Sequence, residues 1–117
     1  MPSPSRDAVV CDAAITSAFA VLGKRWNGML LRVLGFGTGS FAELRRAVPG
    51  ISDTMLADRL AELAATGLVD RVVEPGPPVA VRYALTDAGE RLMPVLDDLG
   101  RWAAESLVGD RGAADPS

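Results

Sequence analysis

The chain has 117 residues, a net charge of −3 and 49% apolar residues, which fits one domain with a modest core and argues against disorder. It holds one cysteine, Cys11, and no histidine. An intramolecular disulfide, the usual zinc sites and histidine-based catalysis are therefore excluded, and no metal or cofactor is expected.

Asp12 can cap a helix from about Ala13 to Leu22, in which Ile15, Phe19 and Leu22 recur at helical spacing. Gly23 ends it. A second helix is expected from Arg25 to Leu34, burying Trp26, Met29, Leu30, Val33 and Leu34, before Gly35, Gly37 and Gly39 break the pattern. Ser40-Phe41-Ala42-Glu43 has the form of a capping box. It opens a short helix to about Val48, with Phe41, Leu44 and Val48 inside. Pro49-Gly50 makes a turn. Ser52 caps the next helix, Asp53 to Thr66, whose core stripe is Met55, Leu56, Leu60, Leu63 and Ala64. Gly67 suits its C-cap.

The period then changes from helical to alternating. Leu68 to Val73 and Val79 to Leu85 read as two strands around the loop Glu74 to Pro78, an antiparallel hairpin. Thr86 caps a long helix to about Leu107, with Leu92, Val95, Leu96, Leu99, Trp102 and Ala103 along one side. Pro94 lies inside it and should kink it. The expected division is a flexible N-terminal arm over 1–10, one domain over 11–108 and a disordered tail over 109–117. No apolar run approaches the roughly 20 residues that cross a bilayer. The N-terminus lacks a charged segment followed by an apolar stretch, so a cytoplasmic protein without membrane contact is expected.

Two helices joined by a Pro-Gly turn and followed at once by a two-stranded ribbon follow the winged helix-turn-helix plan, mainly α with a small β-hairpin wing. The charge distribution agrees. Gly23 to Tyr83 carries eight basic and six acidic residues, whereas Ala84 to the end carries three and seven. Cations thus concentrate where a DNA-facing surface would lie.

The motifs resemble those of the HxlR-type regulators, relatives of the MarR regulators, over roughly residues 11–107. They come in order: Cys11 ahead of the first helix, Val21-Leu22-Gly23-Lys24-Arg25-Trp26, Phe41 to Ser52, Leu63 to Val69, Tyr83-Ala84-Leu85-Thr86-Asp87-Ala88-Gly89, and Trp102. The resemblance implies a homodimer joined through the N- and C-terminal helices, bound to a two-fold-related operator in double-stranded DNA. Ile15, Phe19, Leu92, Leu96, Leu99 and Trp102 are the expected dimer contacts. The family also has members with a cysteine at this place that senses oxidants or electrophiles. Cys11 is accordingly a candidate redox sensor, with a small buried apolar residue as the other reading. Asp12 would raise its pKa and the following helix N-terminus would lower it.

With Leu56 at the centre of the buried stripe, 100° steps place Thr54, Asp58 and Ala61 on the far side of the fourth helix. Ser52, Asp53, Thr54, Ala57 and Asp58 are the expected DNA-facing set. Ser52 and Asp53 lie at the helix N-terminus, Ala57 suits a thymine methyl, and Asp58 suits a cytosine amino group. Asp53 fits the ordinary role of complementing the helix dipole better than a base contact. Lys24, Arg45, Arg46, Arg59 and Arg82 are candidate phosphate contacts, Arg46 more exposed than Arg45, against the reading of solvated surface charge. Trp26 and Trp102 fit core or dimer interface better than a stacking site for a planar ligand. The function expected is transcriptional regulation, as a repressor controlled by a redox or electrophile signal or a small-molecule effector. The acidic recognition helix and a wing without Lys or Arg between Arg71 and Arg82 motivate the alternative, a protein–protein interaction module without DNA binding. An enzyme is not expected, since the chain has no glycine-rich phosphate loop and no paired carboxylates suited to a cleft.

Overall fold

The computed structural model describes residues 6–107, with side chains from Asp12 onward. Residues 1–5 of the expected arm and the expected tail over 109–117 lie outside the described residues. In chain order the elements are α1 (Arg6–Leu22), α2 (Asn27–Gly35), β1 (Gly39–Ser40), α3 (Phe41–Ala47), α4 (Asp53–Ala65), β2 (Val69–Glu74), β3 (Ala80–Leu85) and α5 (Asp87–Ser106).

Helix α1 starts at Arg6 rather than Ala13, so part of the expected arm is helical. No glycine or proline interrupts this run, and nothing stops the helix from propagating toward the N-terminus. Asp12 is therefore inside the helix and not its cap; its carbonyl accepts from Thr16 Oγ1 at 2.9 Å. At the other end the Gly23 amide donates to the Phe19 carbonyl at 2.8 Å.

Helix α2 starts later than expected, because Trp26 takes a left-handed conformation with φ 81°. A bulky residue is strained there. The turn places Asn27 in the interior, fully buried, where its Nδ2 donates to the Val21 carbonyl at 2.8 Å. One of the carbonyls left open at the end of α1 is thereby satisfied. The guanidinium of Arg25 lies over the Trp26 ring, 4.5 Å from its centre.

The core joins Leu30, Leu31 and Leu34 of α2 to Leu44 and Val48 at α3, Ile51 in the turn, Leu56, Leu60 and Leu63 of α4, and Val69 of β2. Burying each such side chain stabilises the fold by roughly 1.5–3 kcal/mol. Three expectations shift by one helical face. Leu31 is buried where Met29 was expected, Met29 and Met55 are exposed, and Ala64 faces solvent.

Both short-range caps form as the sequence implies. Ser40 Oγ accepts from the Glu43 amide at 3.2 Å, and Glu43 Oε1 accepts from the Ser40 amide at 2.8 Å. Ser52 Oγ accepts from the Met55 amide at 3.1 Å. Between α3 and α4, Gly50 takes φ +91°, which a side chain would resist. This turn sets α4 across α3. The sheet has three strands, not two, in the order β1-β3-β2, all antiparallel. Gly39 pairs with Tyr83, and β2 pairs with β3 from Val69↔Leu85 to Glu74↔Ala80. Helix α5 runs on through Pro94, which has no amide to donate to the Glu90 carbonyl.

Helix α1 stands away from this core: every residue from Asp12 to Ala20 is exposed. No helix among the described residues is long and apolar enough to cross a membrane.

Candidate nucleic-acid interface

Helix α4 is amphipathic in the way its sequence requires. Leu56, Leu60 and Leu63 are 0%, 1% and 0% exposed, while Ser52, Asp53, Thr54, Ala57 and Asp58 are all exposed. The expected reading set therefore lies together on one open face, fixed from beneath by three leucines. Strand β2 packs against α4, and the polar face is left uncovered among the described residues.

The expected cations fare differently from one another. Arg45 reaches from α3 to the first residue of α4, its Nη1 lying 3.0 and 3.3 Å from the two carboxylate oxygens of Asp53. Arg59 pairs with Asp58 and with Glu62, the latter at 3.1 Å, and its side chain is 14% exposed. Lys24 pairs with the same Glu62. Arg82 holds Glu43 at 3.3 Å and donates to Thr38 Oγ1 and the Thr38 carbonyl at 3.2 and 3.3 Å. Arg46 alone of the five has no ion pair among the described residues. It flanks a cavity of about 490 Å³ lined by Phe36, Gly37, Thr38 and Glu43 among others. Both Arg45 and Arg46 are exposed, so partnership, not depth, separates them. Arg71, exposed on β2 and likewise without an ion pair among the described residues, escaped the sequence reading. Alternation gave no signal for it, since Arg71 shares a strand face with the buried Val69.

These pairs shift the acids in one direction. The backbone amide of Ser40, then Arg82, holds the Glu43 carboxyl below the usual carboxylate range. A hydrogen bond from Lys24, aided by the Asn27 side chain and Arg59, does the same for Glu62. A depressed folded pKa contributes stability that is present above the unfolded value and lost as pH falls through the folded one. Glu43→Gln should therefore remove part of the acid limb of a melting-temperature profile against pH while leaving its neutral shape. A profile that keeps its acid limb would show that Glu43 is not a contributor.

The expected dimer residues divide by exposure. Ile15, Phe19, Leu99 and Trp102 are exposed, and Leu92 and Leu96 are half-buried against the core. Trp26 also packs on the core. Cys11 falls within α1, and its side chain lies outside the described residues. Because α1 begins at Arg6, the expected help from a following helix N-terminus to its thiolate does not apply. A cavity of about 330 Å³ opens between α1 and α5, lined by Ala18, Val21, Leu22, Leu92 and Val95 with Arg91 at its side.

A short helix, a Pro-Gly turn, a second helix seated on leucines with an open polar side, and a ribbon beside it define a winged helix-turn-helix domain, the fold of transcriptional regulators that bind DNA. Residues 21–110 match the HxlR-like helix-turn-helix family, and the chain belongs to that family. It is 46% identical over 87 residues to the HTH-type transcriptional regulator YodB of Bacillus subtilis strain 168, covering 74% of this chain and 78% of YodB. The solved structure of reduced YodB superposes with a TM-score of 0.77 at 42% identity, over 80% of this chain and 92% of that one. A quinone-bound YodB structure gives 0.71 at 40% identity, over 80% and 98%. The redox regulator HypR in its oxidised form gives 0.72 at 33% identity, over 80% and 96%.

Proposed function

We propose that this protein is a sequence-specific duplex-DNA-binding transcriptional regulator, acting in the cytoplasm as a homodimeric repressor that a redox, electrophile or small-molecule signal releases from its operator. The observation that carries the proposal is the uncovered polar face of α4, presented by Ser52, Thr54, Ala57 and Asp58 above its leucine seat. Ser52 lies where free helix amides meet a phosphate, and Thr54, Ala57 and Asp58 lie where side chains reach base edges. Arg46 and the wing's Arg71 supply backbone contacts. Lys24 and Arg59 act inward, holding α4 through Glu62, and Arg82 braces the wing against the start of α3 through Glu43.

A titration against DNA upstream of the protein's own gene tests this reading. The wild type should form a specific complex. Arg46→Ala should weaken binding to all sequences alike and lower the slope of log K against log salt by about 0.9. Absence of any complex at low salt, for protein shown to be folded, would overturn the proposal.

The redox arm rests on Cys11 and on the kinship with YodB and HypR, solved in quinone-bound and oxidised forms respectively. With one cysteine per chain, a disulfide would have to join two chains, whereas a quinone would add to a single thiolate. Operator affinity measured before and after benzoquinone should fall for the wild type and hold for Cys11→Ser. Equal responses would remove the sensor role and leave the DNA-binding reading intact.

A further inference from the structure

Four of the five expected cations are held by carboxylates of the same chain, and two of those carboxylates, Asp53 and Asp58, stand on the reading face itself. Asp53 is the first residue of the 13-residue helix α4. Its side chain is 63% exposed, and both its oxygens lie within 3.3 Å of the Arg45 guanidinium. A helix N-terminus flanked by an arginine is where a helix-turn-helix protein would receive a DNA phosphate. Here an internal anion already holds that arginine.

We infer that Asp53 is a specificity-determining residue: its carboxylate occupies Arg45 in place of a DNA phosphate and so suppresses binding to non-operator sequences. The inference rests on the DNA-binding reading above. Non-specific affinity comes almost entirely from cations that neutralise phosphates and release counterions. An arginine held by its own carboxylate releases none. On operator DNA the loss is offset, because α4 enters the groove and Asp58 can accept there from a cytosine amino group. On other sequences no such donor is aligned and the charge is uncompensated. The net charge of −3 acts in the same direction at longer range.

The test compares wild type, Asp53→Asn, Asp97→Asn and Asp53→Asn in an Arg45→Ala background, each on an operator duplex and on a random duplex of equal length, between about 50 and 200 mM salt. Asp97→Asn removes the same charge from a pair with Arg32 that joins α5 to α2, away from the α3–α4 turn. Asp53→Asn should bind the random duplex about tenfold more tightly at the lowest salt, with a slope of log K against log salt steeper by about 0.9. Its operator affinity should change by less, so the specificity ratio falls. Asp97→Asn should match the wild type, and the gain should vanish without Arg45. Thermal melts check that each variant is folded, since the Ser52 cap is untouched. Unchanged random-duplex binding, an equal gain in Asp97→Asn, or a gain that survives loss of Arg45 would each overturn the inference. Wild-type protein that binds neither duplex would instead overturn the DNA-binding reading, so the two failures are distinct.

Discussion

Phe19→Asp should leave the protein monomeric and reduce operator affinity by about a hundredfold or more. Helix α1 stands almost clear of its own chain, and Phe19 is 56% exposed in the middle of its apolar stripe. Helix α5 adds Val95, Leu99 and Trp102 and α2 adds Met29, all exposed. Soluble monomers seldom leave so many large apolar side chains open together. In the proposed homodimer a second copy of the chain would cover them, because a two-fold axis brings the same stripe to both sides of one interface. Such a dimer would set its two α4 helices about 34 Å apart, one turn of duplex, so that each half-site raises the effective concentration of the other. A carboxylate at Phe19 would be buried unpaired in that interface, which costs far more than the lost ring contacts alone. Sedimentation velocity should give about twice the 12.2 kDa chain mass for the wild type and a single chain mass for Phe19→Asp, with operator titrations run on the same samples. A variant that remains dimeric with full operator affinity would place the interface elsewhere and leave the α1 stripe unexplained.

The parts of this molecule that were legible in its sequence are those set by residues close in the chain. Ser40 with Glu43 and Ser52 before Leu56, Leu60 and Leu63 announce α3 and α4 through capping and periodicity, and Pro49-Gly50 announces the turn between them. The open face of α4 followed from the same arithmetic. Periodicity loses its phase in α2, where Met29, Leu30, Leu31, Val33 and Leu34 are apolar on more than one side, so Leu31 and Met29 were exchanged. Strand β1 has two residues, too few for any alternation to show. The charge pairs were the least legible. Arg82 lies 39 positions from Glu43 and Lys24 lies 38 from Glu62, and only the fold brings them together. Arg59 is different. Three steps of 100° from Leu56 place it beside the buried stripe, so the pattern already contained its inward position. The left-handed Trp26 had no local signal at all: its conformation serves Asn27, which must reach back to the Val21 carbonyl.

Gly89→Ala should destabilise the fold by about 2 kcal/mol, lowering the melting temperature by roughly 10 °C. Two effects compete at this position. Gly89 sits in the first turn of α5, where alanine ordinarily favours a helix by up to about 1 kcal/mol over glycine. A Cβ there, however, would lie 2.4 Å from the Leu68 carbonyl oxygen and 3.1 Å from the Leu85 side chain. That carbonyl is not free to withdraw, because it accepts from the Thr86 amide at 3.0 Å while Thr86 Oγ1 donates to the neighbouring Gly67 carbonyl at 2.6 Å. Thr86 also receives the Gly89 amide at 3.1 Å, so the helix start, the end of α4 and the head of β2 form one clamp. Moving α5 outward to relieve the contact would break those bonds and draw Leu92 and Leu96 away from the core they pack against. The steric term therefore outweighs the helix propensity. Melting curves at one fixed protein concentration check it, since dimerisation would make the midpoint depend on concentration. A variant that melts at or above the wild type would mean that α5 is not seated on the Leu68 carbonyl, and the clamp joining the wing to the last helix would have to be redrawn.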